Sequence, residues 1–145
     1  MGYTLAKDDE ISLVMPEWHE GEEEHFEIIL NDTMESVGHI KFYSWIDPAA
    51  GNVSYEIYEE YRGNNYAKKS LKLLARNVSK LSDEDLFISI LPDNTASIKT
   101  AVGAGALFYQ IVEIPKNYKF SQDGKYKYAN MYIIENDRGR EYKAK

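Results

Sequence analysis

The pattern of apolar and polar positions divides this chain into seven predicted strands and two predicted helices. Short apolar runs, and runs in which apolar and polar residues alternate, favour strands, and turn-forming residues separate them. These strand segments are Ile11–Met15, Phe26–Leu30, Val37–Trp45, Val53–Tyr58, Leu86–Leu91, Leu107–Ile114 and Tyr126–Ile134. The last ten residues, Asn136–Lys145, are mostly polar and are predicted to form a tail.

Both helices are predicted from apolar residues spaced three or four positions apart, which is the period of one helical face. The first helix follows Gly63, and its apolar face consists of Ala67, Leu71, Leu74, Val78 and Leu81. The second helix opens after Pro92-Asp93-Asn94 and ends near Gly103 and Gly105, and its apolar face consists of Ile98, Ala101 and Val102.

The predicted element order is β-β-β-β-α-β-α-β-β, which indicates an α/β fold of the α+β type. Each strand–helix–strand stretch predicts parallel pairing through a right-handed crossover, whereas the early strands are typical of antiparallel hairpins. The sheet is therefore expected to be mixed. No composition shift or repeat divides the chain, so we expect residues 1–145 to form a single domain.

Composition removes several classes of function. The 145 residues include 17 Lys+Arg and 24 Asp+Glu, a net charge of −7, and no cysteine, which excludes disulfides, a thiolate nucleophile and cysteine-ligated zinc. The acidic balance disfavours nucleic acid and anionic membranes as partners. No apolar run approaches the roughly 18 residues of a membrane span, and Met1–Lys7 lacks the apolar segment of a signal peptide. We expect a cytoplasmic enzyme or binding module.

Two loops that precede the predicted helices are the candidate ligand-binding segments. The first, Tyr61-Arg62-Gly63-Asn64-Asn65-Tyr66-Ala67, leads from a strand into the first helix, and its Gly and Asn residues tolerate a left-handed backbone. Free backbone N–H groups and the helix dipole make such a loop a phosphate or pyrophosphate site, although an ordinary turn is about equally compatible. The second, Asn94-Thr95-Ala96-Ser97, is either a simple helix cap or a second contact for the same ligand.

The run from Tyr55 to Ala67, then Asn94-Thr95-Ala96-Ser97 and Gly105-Ala106, resembles the GNAT superfamily of acyl-CoA-dependent N-acetyltransferases. The pattern is most similar to the branch with ribosomal-protein and spermidine-type acetyltransferases, and it covers nearly the whole chain. The resemblance implies a mostly antiparallel mixed sheet whose fourth and fifth strands splay apart around the pantetheine arm of acetyl-CoA. The residues that it implies for acetyl-CoA binding are Ile57, Tyr58, Arg62, Gly63, Asn64, Asn65, Tyr66, Ala67, Asn94 and Ser97.

The resemblance also implies direct transfer of the acetyl group to a primary amine, of a small molecule or a peptide N-terminus, in a ternary complex. Glu56 is the candidate base, a backbone N–H near Ile57 the oxyanion donor, and Ser97 or Tyr109 the partner of the departing thiolate. Each side chain also has a structural interpretation: Glu56 as a solvated carboxylate, Ser97 as a helix-start hydroxyl and Tyr109 as sheet packing. The resemblance also allows a homodimer.

Three departures from the family pattern limit these expectations. Asn65 stands where Gly is common, which a left-handed position tolerates, and Ala101 matches the position of a tyrosine that protonates the thiolate in many members. Only Pro16–His25 separates the first two predicted strands, so the segment that usually shapes the acceptor pocket is reduced. A catalytically silent acyl-CoA-binding module and a plain interaction domain are therefore the alternatives.

The remaining polar residues give weaker signals. His19, His25 and His39 lack metal-site spacing, so we expect no metal. The acidic run Glu20–Glu24 is either a solvated loop or an attractor for a cationic amine.

Overall fold

Eight strands and two helices make up the described part of the chain. A computed structural model describes residues 2–17 and 23–137, so His19 and the first part of the acidic run, Glu20 to Glu22, lie outside it. The strands are β1 (Tyr3–Lys7), β2 (Ile11–Met15), β3 (Glu23–Leu30), β4 (Ser36–Asp47), β5 (Gly51–Ile57), β6 (Leu86–Ile90), β7 (Leu107–Glu113) and β8 (Tyr128–Ile134). The helices are α1 (Tyr66–Asn77) and α2 (Thr95–Gly103).

Every predicted element is present, and one strand was missed. The missed strand is β1, which lies at the edge of the sheet and buries only Leu5 among its five residues, so its sequence carries almost no periodic signal. The first helix begins as predicted but ends at Asn77, and a 3₁₀ turn continues to Lys80. Leu81 therefore lies beyond the helix, although it still packs against the core.

The strands form one sheet in the order β1-β2-β3-β4-β5-β6-β8-β7. Between β5 and β6 the pairing is reduced to a single bridge of the antiparallel type, from Gly51 to Ile88. The parallel ladder predicted between these two strands is therefore absent. The strand after α2 does not pair with β6 either, because β8 lies between β6 and β7. The splay expected at the fourth and fifth predicted strands is thus found between β5 and β6.

Asn52 explains why β5 and β6 stay together without a ladder. Its side chain is fully buried, at 0% exposure. Its Nδ2 donates to the carbonyl oxygen of Asp85 at 2.9 Å, and its Oδ1 accepts from the backbone N–H of Phe87 at 2.7 Å. One amide side chain thus replaces the backbone bonds that a regular pair of strands would form. We call this narrow junction the β5–β6 seam.

The sheet carries a hydrophobic core on each face. The larger core joins α1 and α2 to β1–β6, with Leu71 and Leu74 of α1 fully buried against it. The smaller core lies where β7 and β8 meet the connection between them, and it includes Val112, Ala129 and Met131. Side chains alternate along β6, so that Ile88 belongs to the larger core while Phe87 packs against the smaller one.

The C-terminal end of the described chain differs from expectation at Asn136. The polar tail predicted from Asn136 begins with a buried residue, since Asn136 donates to the carbonyl oxygens of Ser82 and Glu84 at 2.8 and 2.9 Å. This amide fastens the end of β8 to the turn before β6. Residues 138–145 lie outside the described part of the chain.

Candidate functional site

A cleft of about 510 Å³ lies where β5 ends and where α1 and α2 begin. It is open beyond the β5–β6 seam because no backbone ladder closes the gap there. The residues that line it are Tyr55, Glu56, Ile57, Tyr61, Arg62, Gly63, Asn65, Tyr66, Ala67, Lys68, Asn94, Ala96, Ser97 and Thr100. The two loops that the sequence singled out, Tyr61–Ala67 and Asn94–Ser97, thus face one another across a single cleft.

The loop before α1 has the left-handed backbone that its composition predicted. Gly63 has φ +89° and Asn65, the residue before the helix, has φ +63°. The first backbone bond into the helix is donated by Lys69 to the carbonyl oxygen of Asn65 at 3.0 Å. The N–H groups of Tyr66, Ala67 and Lys68 therefore have no intrahelical partner, and these three residues line the cleft.

Side chains of this loop fold back onto its own backbone. The Nε of Arg62 donates to the carbonyl oxygen of Ile57 at 3.0 Å, and the Nδ2 of Asn64 donates to that of Tyr61 at 2.9 Å. These bonds hold the loop in shape and leave the positive charges of Arg62 and Lys68 at the cleft. Of the predicted binding residues, Asn64 and Tyr58 do not line it.

The start of α2 is built around Asn94 and Ser97. The Oδ1 of Asn94 accepts from the backbone N–H of Ser97 at 3.2 Å, which is a standard helix cap. The Ser97 hydroxyl is hydrogen-bonded to the phenol of Tyr55 at 3.0 Å. Burial raises the pKa of Tyr55, against the opposing effect of the bond to Ser97, so the phenol is protonated at neutral pH. Nothing in the local sequence marks Tyr55 as a partner of Ser97, because the two lie 42 positions apart.

Glu56 is exposed on β5 and lines the cleft, next to a histidine on the neighbouring strand. His39 of β4 is directly opposite Glu56 in the antiparallel register. Burial, together with the positive charge of Lys41 and the proximity of His25, lowers the pKa of His39, although Glu56 and Glu27 oppose the shift. The imidazole is therefore neutral at pH 7, and as a directly opposed cross-strand pair the His39 and Glu56 side chains lie on the same face of the sheet.

Two predicted positions lie away from the cleft. Tyr109 is on the edge strand β7, where its ring packs edge-on against Phe87 with centroids 5.3 Å apart, and it does not line the cleft. Ala101 is fully buried in the larger core. A tyrosine at position 101 would point into that core, so its absence says nothing about the chemistry of the cleft. Ala96, Ser97 and Thr100 are the residues of α2 that line it.

Over residues 2–17 and 23–137, no group of three or more histidine, aspartate or glutamate side chains is arranged to hold a metal ion. In the same ranges, no helix is long and apolar enough to cross a membrane.

Comparison with known proteins decides the family. The family model described as an acetyltransferase (GNAT) domain matches residues 2–106, which is more than half of the chain. The chain belongs to the GNAT family. The match includes both cleft-forming loops and ends just after α2, and a search of curated proteins finds no significant match to this GNAT domain.

Solved structures share the fold of this GNAT domain. It is similar to the ribosomal-protein-S5-alanine acetyltransferase of Vibrio fischeri, at 16% identity and a TM-score of 0.60, over 80% of this chain and 63% of that one. It is also similar to the microcin C7 self-immunity acetyltransferase MccE, solved in complex with acetyl-CoA and AMP. The identity is 15% and the TM-score 0.59, over 79% of this chain and 61% of that one.

A third similar structure is a chimera of the spermidine N-acetyltransferase SpeG from Vibrio cholerae and hSSAT. It is 13% identical with a TM-score of 0.64, over 85% of this chain and 75% of that one. At these identities the likeness establishes the fold. The GNAT domain spans less than two thirds of the length of the first two relatives.

Proposed function

We propose that this GNAT domain is an N-acetyltransferase that transfers the acetyl group of acetyl-CoA to a primary amine by direct attack in a ternary complex. The observation that carries the proposal is the convergence of two helix starts on one cleft beside splayed strands. The unpaired N–H groups at the start of α1 and the cations Arg62 and Lys68 suit a pyrophosphate. The gap beyond the β5–β6 seam leaves backbone of β5 unpaired, which suits an extended pantetheine arm.

The chain also offers groups for each proton that the reaction moves. Glu56, with the neutral imidazole of His39 opposite, accepts the proton that the attacking amine must lose. As the new C–N bond forms and the C–S bond breaks, the Ser97 hydroxyl, backed by the Tyr55 phenol, donates to the departing thiolate. Tyr55 thereby provides a protonated tyrosine from a strand rather than from α2.

Binding measurements with two ligands test the placement of the cofactor. Arg62→Glu should weaken CoA binding by roughly ten- to a hundredfold, the worth of one charge-assisted contact, in calorimetry. Pantetheine, which has no pyrophosphate, should bind the variant and the original chain alike. Arg76→Glu is the matched control, because Arg76 is an exposed cation of α1 that does not line the cleft. Unchanged CoA affinity in Arg62→Glu would refute the pyrophosphate placement.

Turnover is tested separately by following release of the CoA thiol with a panel of primary amines. Release that depends on both acetyl-CoA and an amine is the expected result. Tight CoA binding without thiol release for any amine would instead favour the silent acyl-CoA-binding module.

A further inference from the structure

Gly103 is the last residue of α2, and its backbone gives no reason for a glycine. It is not among the described residues that have a positive φ. The glycine that turns the chain at this helix end is Gly105, with φ +100°, whose N–H donates to the carbonyl oxygen of Val102 at 3.0 Å. Alanine is more favourable than glycine in a helix, because glycine has more backbone freedom to lose. Position 103 therefore needs another explanation.

The side chain of Lys68 supplies that explanation. A Cβ built at position 103 would lie 2.8 Å from the Cδ and 3.7 Å from the Cγ of Lys68, and outside its own helix turn it would meet no other described atom within 4 Å. Non-bonded carbon atoms normally approach to about 3.5–4.0 Å, so even a methyl group at position 103 would displace the stem of this lysine. We call the gap above Gly103 the α2 notch, and the aliphatic stem of Lys68 fills it.

The charge of Lys68 is one that its own helix disfavours. Lys68 is the third residue of α1, where the partial positive charge of the helix N-terminus repels a cation. Its neighbour Lys69, in the same turn, is paired with Glu10. No described side chain forms an ion pair or a hydrogen bond with Lys68. An anion bound at the start of α1 would supply this missing partner.

The notch also joins Lys68 to the second helix of the cleft. Lys68 lines the cleft from α1, and Thr100 lines it from α2, about one turn before Gly103. A lysine side chain is flexible and loses much rotamer freedom when it holds a phosphate. Packing of the stem in the notch restricts that freedom before the ligand binds, so less is lost on binding.

We propose that Lys68 binds the pyrophosphate of CoA and that Gly103 is a positioning residue, whose missing side chain lets α2 hold the lysine stem with its ammonium group at the cleft. This inference rests on the proposed function, because it requires CoA in the cleft. It assigns a role to a residue that makes no contact with the ligand and acts only through Lys68.

Gly103→Ala tests the proposal through a split between affinity and stability. Calorimetry with CoA and dephospho-CoA, which both carry the pyrophosphate, should show roughly three- to tenfold weaker binding, part of the worth of one charge-assisted contact. Pantetheine, which has no pyrophosphate, should bind as it does to the original chain. Tm should stay the same or rise, because alanine is favoured in a helix and the methyl group meets only a flexible side chain.

A double-mutant cycle shows whether Gly103 acts through the lysine. Lys68→Met keeps an apolar stem, removes the charge and should weaken CoA binding at least as much as Gly103→Ala does. In the Lys68→Met background, Gly103→Ala should change CoA affinity less than about twofold, because no ammonium group is left to misplace. Lys72→Met is the matched control, since Lys72 is a cation of α1 that does not line the cleft. It should leave CoA affinity nearly unchanged.

Unchanged CoA affinity in Gly103→Ala overturns the positioning role. An equal loss for pantetheine, a loss that persists in the Lys68→Met background, or a fall in Tm shows that position 103 is merely structural, and each of these results also overturns it. Weaker binding of CoA but not of dephospho-CoA would place Lys68 at the ribose phosphate and refute the pyrophosphate assignment.

The original chain is titrated in the same series, which separates the two levels of the proposal. If it binds neither CoA nor dephospho-CoA, the proposed function fails and this inference fails with it. If it binds both and Gly103→Ala binds them equally well, the inference alone fails.

Discussion

Replacing Asn52 with alanine should open the β5–β6 seam and destabilise the whole fold. The substitution removes both hydrogen bonds of the fully buried Asn52 side chain, the one to the carbonyl oxygen of Asp85 and the one from the N–H of Phe87. Removing the partner of a buried polar group costs about 1–3 kcal/mol, so for the two bonds we expect a loss of roughly 2–6 kcal/mol in the free energy of unfolding. For a domain of this size that corresponds to a fall in Tm of roughly 6–18 °C.

Thermal unfolding followed by circular dichroism measures this effect, and Asn77→Ala serves as the control. Asn77 is half-buried and donates one hydrogen bond, to the carbonyl oxygen of Leu73 at 2.8 Å, so its loss should cost about 1 kcal/mol or less. If Asn52→Ala lowers Tm no more than Asn77→Ala does, the seam is held by something other than the Asn52 amide. A stable Asn52→Ala protein with normal CoA affinity would refute the reasoning outright.

Three further predictions concern the backbone, pH and catalysis. Gly51→Ala should lower the free energy of unfolding in urea at least twice as much as Gly63→Ala does. Both glycines have a positive φ, but only at Gly51 would the new Cβ meet a backbone atom, the carbonyl oxygen of Phe87 at 2.3 Å. Lowering the pH from about 7 to about 5 should destabilise the chain through His39. The pKa of His39 is lowered in the folded state, so the unfolded chain takes up a proton near pH 6.5 that the folded chain does not. The Tm of His39→Gln should therefore fall less than that of the original chain over this pH range. Tyr55→Phe should lower kcat about tenfold or more with CoA affinity unchanged, and an unaltered kcat would exclude the phenol from proton transfer to the thiolate through Ser97.

Elements with a periodic pattern were predictable from the sequence. Both helices and seven of the eight strands in the described ranges carry runs of apolar residues whose spacing indicates which face is buried, and burial of that face decides the structure. The loop at Gly63 and Asn65 was predictable for a different reason, since few residues tolerate its backbone. Strand β1 was not predicted because it is an edge strand that buries only Leu5, so its apolar residues show no regular spacing.

The parts of the site that were missed depend on contacts between distant positions. Asn52 and Tyr55 act through partners 33 to 42 residues away, and nothing in their local sequence indicates such a partner. His39 has no metal-site spacing in the sequence, and its place opposite Glu56 follows from the register of β4 and β5. Register is set by the whole sheet, so a single sequence does not reveal it.

The β5–β6 seam also has a mechanical consequence. One backbone bridge and one amide side chain cross the seam, so the sheet behaves as two stiff plates, the ladders β1–β5 and β6–β8. The plates meet at the seam, which is a weak joint between them. Backbone amides bordering the joint should exchange with deuterated solvent through small openings, well before those at the centre of either plate. A ligand that lies across the joint clamps both plates at once, so occupancy should slow exchange on β5 and β6 together. With the cofactor placed as proposed, the weakest pairing of the described sheet and the position of the bound ligand coincide.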